Sequence, residues 1–118
     1  MTTVVLSPSK RLKAGAYQFD PVEVPEEAKR LRISLTREAW AKGPGGHIFL
    51  TYPGGHRSHL FSFAGGVHID RLGNLVDVSS AEFTIEQDGL PADIPAGLYI
   101  VELELRQALT TSVQFEWS

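Results

Sequence analysis

Three glycine clusters divide the middle of this chain into short segments in which apolar and polar residues alternate. The clusters are Gly43-Pro44-Gly45-Gly46, Pro53-Gly54-Gly55 and Gly65-Gly66. Glycine adopts positive φ without the steric penalty of a Cβ atom, so such clusters are typical of tight turns between antiparallel strands. Alternation with a period of two is typical of a strand that buries one face. The pattern therefore predicts an all-β protein.

The same alternation continues outside the glycine clusters. Segment 30–37 carries an apolar residue at every second position, and segments 47–52 and 57–63 flank the Pro-Gly-Gly turn as a hairpin. The clearest segments are 99–106 and 111–117, which we expect to be two long antiparallel strands, central in the sheet. Shorter candidates are 17–19, 67–70, 74–78 and 81–86. About eight strands in one small domain predict two packed antiparallel sheets, a β-sandwich of the jelly-roll or immunoglobulin-like kind.

The first fifteen residues differ from the rest. Within 1–15 only residues 3–6 have a strand-like pattern, and the basic residues Lys10, Arg11 and Lys13 follow. We expect an N-terminal arm or an edge strand here, and a single sandwich domain over 16–118. The basic residues either contact a partner or form a solvated edge that discourages the addition of another strand.

Two connections between predicted strands have distinctive sequences. Residues 38–42 could form one helical turn before the Gly-Pro sequence ends it. Residues 88–97 are rich in Gly, Pro and Asp and predict a long polar connection across one end of the sandwich. Loops of this kind commonly carry binding residues.

Composition restricts the function classes. The 118 residues include no cysteine, which excludes disulfides and thiolate metal sites and favours folding in a reducing compartment. The formal net charge of −3 argues against binding to a nucleic-acid backbone. No apolar run approaches the length of a membrane span, and the first residues lack the pattern of a signal peptide. We expect a soluble protein with neither nucleic-acid nor membrane partners.

The four histidines, all between residues 47 and 68, are the main candidates for metal chemistry. On neighbouring strands, two imidazoles and the Asp70 carboxylate would suit a divalent transition metal. However, His56 and His59 are three positions apart, which places them on opposite faces of a regular strand. We therefore expect the histidines to be structural or surface residues, with no metal or other cofactor. A metal-dependent enzyme is the less favoured alternative.

Other catalytic signals are weak. Ser58 lies near His56 and His59 in the sequence but lacks the turn that presents a nucleophilic serine. Among the aromatic residues, Tyr99 and Trp117 are in register with aliphatic neighbours and are expected in the core. Trp40, beside a Gly-Pro loop, is the aromatic residue best placed to contact a partner. The sequence predicts a protein that is not an enzyme.

Residues 31–40 (LRISLTREAW), 95–99 (PAGLY) and 110–113 (TTSV) together resemble small β-sandwich proteins encoded among the structural genes of tailed bacteriophages. The resemblance covers about the last ninety residues and rests on strand and turn patterns. It implies a virion protein, such as a capsid decoration or tail protein, assembled in the host cytoplasm. It implies other virion proteins as partners and carries over no functional residue.

The resulting hypothesis is a non-enzymatic structural protein that acts through its surface and forms homo-oligomers. A carbohydrate-binding module or adhesin domain, with a glycan as ligand, is the alternative. Contacts are expected from loops at one end of the sandwich and from the N-terminal arm. The predicted contact residues are Trp40, Lys42, His56, Arg57, Lys10, Arg11 and Lys13.

Overall fold

The computed structural model describes residues 1–64, 67–77, 79–86 and 94–118. These ranges contain eleven strands and no helix. They therefore contain no helix that could cross a membrane. The strands are β1 (Thr2–Leu12), β2 (Gly15–Gln18), β3 (Val22–Val24), β4 (Arg30–Arg37), β5 (Gly46–Thr51), β6 (Arg57–Phe63), β7 (Val67–Ile69), β8 (Leu75–Asp77), β9 (Ser80–Glu86), β10 (Gly97–Leu105) and β11 (Leu109–Trp117).

The strands form two antiparallel sheets that pack face to face. The four-stranded sheet has the order β1-β11-β4-β9, and the five-stranded sheet has the order β2-β10-β5-β6 with β3 also paired to β10. The β7–β8 hairpin belongs to neither sheet. The predicted all-β sandwich is confirmed. The described residues form eleven strands rather than about eight. Strand β3 was not among the predicted segments, because its three residues are too few to show a periodic pattern.

The core lies between the inward faces of the two sheets. The predicted alternation is visible in β4, where Leu31, Ile33 and Leu35 are buried while Arg32 and Ser34 are only partly covered. Tyr99 is fully buried, as expected, and donates its hydroxyl hydrogen to the Pro95 carbonyl at 2.7 Å. The other fully buried side chains include Phe115, Ile48, Leu50, Leu103, Leu109, Val24, Val101 and Val113.

The two long strands β10 and β11 lie in different sheets. Each has a hydrogen-bonded neighbour on both sides, β10 between β2 and β5, and β11 between β1 and β4. Both strands are therefore central, as expected, but they lie in two sheets rather than in the same one. The three-residue connection 106–108 carries the chain across the core from one sheet to the other.

Strand β1 is an edge strand of the four-stranded sheet and is longer than predicted. Its pairing with β11 continues to Leu12 through register shifts around Ser7, so Lys10 and Arg11 lie within the strand. A regular alternating pattern does not reveal such a strand, because each register shift moves the side chains to the other face. Irregular pairing and exposed cations are features that discourage strand addition at a sheet edge.

The connection between β4 and β5 forms a turn at Ala39 and Trp40, and the helical turn that residues 38–42 could have formed is not present. Gly45, at its end, has φ +67°, and a Cβ atom there would overlap the Phe63 carbonyl oxygen. This position therefore requires glycine. The predicted turn at Gly65-Gly66 and residues 88–93 of the long polar connection lie outside the described residues.

The direction of β5 defines two ends of the sandwich. Gly46 pairs with Phe63 and Leu105 at one end, and Thr51 pairs with Arg57 and Ile100 at the other. We call the first the Trp40 end; it comprises loop 38–45, the β7–β8 hairpin, connection 106–108 and the chain between β1 and β2. We call the second the acidic end; it comprises residues 19–29, turn 52–56, residues 94–98 and the C-terminus.

Candidate interaction surface

A buried arginine organises the Trp40 end. Arg37 continues the inward stripe of β4, and its side chain is only 1% exposed. Its Nε donates to the Ala64 carbonyl at 3.1 Å, its Nη1 to the Glu38 carbonyl at 2.9 Å, and its Nη2 lies 3.0 Å from Asp77 Oδ1. The Arg37 guanidinium thus forms hydrogen bonds with the chain at the end of β4, with the chain after β6 and with the end of β8.

Asp77 connects this ion pair to the exposed Trp40. Its second oxygen, Oδ2, accepts a hydrogen bond of 2.8 Å from the Trp40 backbone amide. That amide and the Arg37 guanidinium favour the carboxylate and hold the pKa of Asp77 below its usual range, against the opposing effect of desolvation. Trp40 has φ 61°, a left-handed conformation that is strained for a bulky residue, and its side chain remains 59% exposed.

The β7–β8 hairpin presents aliphatic side chains to solvent. Ile69 and Leu75 are cross-strand partners and are 69% and 63% exposed, while Leu72 in the turn is 85% exposed. The turn is well ordered by hydrogen bonds, since Asp70 Oδ1 accepts the backbone amides of Leu72 and Asn74 at 2.8 and 2.9 Å. The hairpin is therefore a defined apolar feature at the surface.

The Trp40 end also carries exposed cations. Arg11 Nη1 lies 3.4 Å from Glu38 Oε1, which brings β1 next to the Trp40 loop. Lys42 is exposed, and its backbone carbonyl accepts a hydrogen bond of 2.7 Å from Gln107 Nε2. The exposed cations at this end are Lys10, Arg11, Lys13, Lys42, Arg71 and Arg106.

The predicted contact residues do not all meet. Lys10, Arg11, Lys13, Trp40 and Lys42 share the Trp40 end, but His56 and Arg57 lie beyond the opposite end of β5, about 17 Å away along the strand. The expectation that Trp40, Lys42, His56 and Arg57 share one end is wrong. Loops on either side of a single strand necessarily emerge at opposite ends of it.

At the acidic end, His56 and Arg57 have partners within the chain. The His56 ring stacks on Tyr52, with ring centroids 6.0 Å apart. Arg57 covers the ring of Phe49, with Cζ 3.9 Å from the centroid, and both its Nε and Nη2 bond to the Glu102 carboxylate at 3.3 Å. The exposed carboxylates at this end are Asp20, Glu23, Glu26 and Glu27; Lys29 and Arg30 lie beside them.

The outer face of the five-stranded sheet brings two histidines and a serine into contact. His47 Nδ1 lies 2.8 Å from Ser62 Oγ and 3.2 Å from His59 Nε2. Ser58, the serine singled out in the sequence, is instead half-buried on the other face of β6. The cross-strand pairing of His47 with Ser62 follows from the register of the hairpin, which the sequence pattern does not specify.

A 2-His-1-carboxylate set with Asp70 is not formed by the described residues. Asp70 accepts hydrogen bonds within the β7–β8 turn, and no group of three His, Cys, Asp or Glu residues in the described ranges is placed to hold a metal ion. The side chain of His68 lies outside the described part of the chain.

Several residues of these surfaces were missed by sequence reasoning. Arg37 could have been found, because it continues the inward stripe of β4. The aliphatic residues of the β7–β8 hairpin gave no such signal, since a three-residue strand with an apolar residue at alternate positions normally faces a core. Their exposure follows from the position of the hairpin outside both sheets.

Comparison with solved structures shows a shared sandwich fold. The C-terminal CBM6, a carbohydrate-binding module, of LamC, a marine laminarinase from Zobellia galactanivorans, is similar with a TM-score of 0.51 and 10% identity, covering 97% of this chain and 98% of that one. The C-terminal domain of a structural protein of Sulfolobus turreted icosahedral virus has a TM-score of 0.46 and 17% identity, covering 98% and 99%. At 10% identity, the likeness to the laminarinase module concerns the fold alone.

A third similar structure is an adhesin domain of Lys-gingipain from Porphyromonas gingivalis. It has a TM-score of 0.42 and 7% identity, covering 86% of this chain and 59% of that one. No protein-family model and no curated protein sequence matches the chain.

Proposed function

We propose that this chain is a non-enzymatic structural component of a virus particle that associates with copies of itself through the Trp40 end. The observation that carries the proposal is the exposure of Ile69, Leu72 and Leu75 on a hairpin outside both sheets. Contiguous apolar side chains that remain exposed on an ordered element commonly mark a protein contact.

The chemistry of the exposed groups favours a protein over a sugar as partner. Sugars stack on flat aromatic faces, and Trp40 is the one strongly exposed aromatic residue in the described ranges. The Phe49 ring, on the outer face of the five-stranded sheet, is covered by Arg57. The exposed hairpin residues have branched aliphatic side chains. Burial of such side chains against another apolar protein surface is favourable because it removes apolar area from water.

Charge complementarity favours a second copy of this chain as the occupant. The Trp40 end carries both exposed cations and exposed apolar groups, whereas residues 20–27 at the acidic end carry exposed carboxylates. Leu98, 56% exposed, gives the acidic end an apolar group of its own. An interface between unlike ends is heterologous, and it closes into a ring when the rotation between copies permits.

As a component of a virus particle, the chain would contact other virion proteins as well as copies of itself. This assignment is supported by the resemblance of segments 31–40, 95–99 and 110–113 to phage structural proteins. Weak contacts are sufficient in such a setting, because many copies bind the same lattice at once. A chain without cysteine is also suited to assembly in the host cytoplasm.

Mixing two variants, each blocked at one end, tests the interface. Leu72→Asp places a charge at the hairpin turn, and Glu26→Lys with Glu27→Lys reverses the charge of the acidic end; all three positions are exposed, so both variants should fold. Light scattering should show an oligomer for the wild type, a monomer for each variant, and a one-to-one dimer for their mixture. Val5→Asp, on edge strand β1 between the two ends, is the matched control and should leave the oligomer intact.

Each other outcome contradicts part of the proposal. A wild-type monomer at 100 μM or more, a concentration on the order of a weak contact's Kd, would overturn self-association through these ends. An oligomer unaffected by both variants would place the interface elsewhere. Two monomeric variants that fail to pair when mixed would contradict the head-to-tail interface. A monomeric Leu72→Asp variant beside an acidic-end variant that still oligomerises would indicate a symmetric interface through the Trp40 end.

A carbohydrate-binding function is the second candidate, and Trp40 favours it. The chain has the sandwich fold of the laminarinase CBM6, and a strained, anchored backbone presents the Trp40 indole to solvent. Binding to a panel of immobilised glycans, abolished by Trp40→Ala and retained by Leu72→Asp, would support this function over self-association.

A further inference from the structure

Three potential ligand atoms meet on the outer face of the five-stranded sheet. His47 Nδ1, His59 Nε2 and Ser62 Oγ form a triangle with sides of 2.8, 3.1 and 3.2 Å. The residues lie on the paired strands β5 and β6, between the two ends of the sandwich.

A β-bulge produces this convergence. His59 and Ser62 are three residues apart and would lie on opposite faces of a regular strand. The pairing shifts between Ile48 and Phe49, so that Leu60 becomes an extra residue in β6. His59 and Ser62 are therefore both exposed on the outer face, while Leu60 is half-buried. Bulges commonly redirect a side chain next to a functional site.

Hydrogen bonding accounts for only two of the three sides of the triangle. Each imidazole nitrogen either donates one hydrogen or accepts one through a single lone pair, and the serine hydroxyl donates one. If His59 Nε2 donates to Ser62 Oγ and the hydroxyl donates to His47 Nδ1, the two nitrogens face each other at 3.2 Å with no hydrogen between them. Every neutral arrangement in which each hydrogen serves a single acceptor leaves one side of the triangle without a hydrogen bond.

A metal ion would contact all three atoms at once and replace these hydrogen bonds, with each ring nitrogen supplying its lone pair. Zinc-nitrogen bonds are about 2.0 to 2.1 Å long, and an ion at that distance from each corner would lie about 1 Å above the plane of the triangle. Three ligand atoms about 3 Å apart form one face of a tetrahedral or octahedral site. Imidazole suits Zn²⁺, Cu²⁺ and Ni²⁺, and water would complete the coordination.

The surrounding side chains hold the imidazoles in place. Phe49 packs edge-on against the His59 ring, with centroids 5.2 Å apart, and lies 6.1 Å from the His47 ring. The nearby cation Arg57 is paired with the Glu102 carboxylate, which reduces its repulsion of a bound ion. A preorganised pair of ligands binds more tightly because less conformational entropy is lost.

We propose that His47, His59 and Ser62 form a chelating site for one divalent transition-metal ion, with Cu²⁺ bound more tightly than Zn²⁺ or Ni²⁺. The order follows from the general affinities of first-row metals for nitrogen ligands. The site is independent of the Trp40 end, and neither proposal depends on the other.

Titration calorimetry of the full chain with Zn²⁺ tests the site. The wild type should bind one equivalent. His47→Gln and His59→Gln should each weaken Zn²⁺ binding by at least about tenfold, because even the loss of a residue that only hydrogen-bonds to a metal ligand can weaken binding by that factor. Ser62→Ala should weaken binding less. His56→Gln is the matched control, because His56 is exposed but stacks on Tyr52, and it should leave the affinity unchanged.

Spectroscopy of the Cu²⁺-loaded protein gives a second readout. Electron paramagnetic resonance should show splitting from two imidazole nitrogens, reduced to one in either His→Gln variant. The proposal is overturned if the wild type shows no saturable Zn²⁺ binding at about 100 μM, a concentration that detects even weak sites. It is equally overturned if His56→Gln weakens binding as much as His59→Gln, or if the spectrum shows a single nitrogen ligand.

Discussion

Arg37 and Asp77 form a buried ion pair with 3.0 Å between Nη2 and Oδ1, although forty residues separate them in the chain. Their side chains are 1% and 7% exposed. Because Asp77 ends β8 and also accepts the Trp40 amide, the pair fixes the base of the projecting hairpin and the backbone of the Trp40 loop relative to the sandwich. The proposed contact surface is thus positioned by an ion pair that is buried at the Trp40 end of the sandwich.

Replacing Arg37 with methionine should destabilise the protein strongly. Loss of the guanidinium leaves the Asp77 carboxylate without its cation and the Ala64 and Glu38 carbonyls without their donor. Removing one partner of a buried ion pair typically costs about 3 to 5 kcal/mol. Urea denaturation measures the change in the free energy of unfolding.

The double variant Arg37→Met with Asp77→Leu is the control for this effect. It removes both charges, so it should be more stable than Arg37→Met alone, since apolar replacement of a whole buried pair is often tolerated. A single Arg37→Met variant within about 0.5 kcal/mol of the wild type, the range of ordinary surface substitutions, would show that the pair does not organise this end.

The lowered pKa of Asp77 predicts loss of stability in acid. A carboxyl group whose pKa is lower in the folded state stabilises the fold above its unfolded pKa, which is near 4, and this contribution is lost as the pH falls through the folded value. The difference in unfolding free energy between wild type and Asp77→Asn should therefore be constant near neutral pH and shrink below about pH 4. A difference that stays constant down to pH 2 would contradict the assigned ion pair.

The sequence pattern anticipated the parts of the fold that depend on local periodicity. The alternation around Leu31, Ile33 and Leu35 identified both strand β4 and its buried face, and Pro53-Gly54-Gly55 identified the β5–β6 hairpin. The distribution of β10 and β11 between two sheets was not predictable in the same way. This distribution depends on long-range strand pairing. Two consecutive alternating segments have the same sequence pattern whether they hydrogen-bond to each other in one sheet or face each other across the core from two sheets.

The His47–His59–Ser62 cluster and the Trp40 end were less predictable, because their geometry depends on departures from regular structure. The bulge at Leu60 brings His59 and Ser62 to one face, whereas strict alternation separates them. Arg37 lies on an inward stripe but is charged, so its burial depends on Asp77, forty residues away. Trp40 was identified from its loop position, but its left-handed backbone and its bond to Asp77 emerge from the folded chain.

The strained conformation of Trp40 predicts an unusual response to substitution. At φ 61° glycine has no steric penalty, whereas alanine retains it. Trp40→Gly should therefore be more stable than Trp40→Ala by about 1 kcal/mol, the reverse of the order expected in a regular strand. Thermal denaturation of the two variants measures this difference. If alanine is the more stable, Trp40 does not hold the left-handed conformation in solution.

The buried Tyr99 predicts loss of stability in alkali. Burial, with a contribution from Tyr52, raises the pKa of Tyr99 to about 12, whereas an exposed tyrosine ionises near pH 10. Between these values the unfolded state releases a proton that the folded state retains, so the free energy of unfolding falls as the pH rises. Tyr99→Phe removes this contribution and also the hydrogen bond to the Pro95 carbonyl, which costs about 1 kcal/mol at neutral pH. Urea denaturation from pH 7 to 11 should thus show the variant less stable at first, with the two curves converging above pH 10. Parallel curves over the whole range would mean that Tyr99 ionises as readily in the folded state as in the unfolded one.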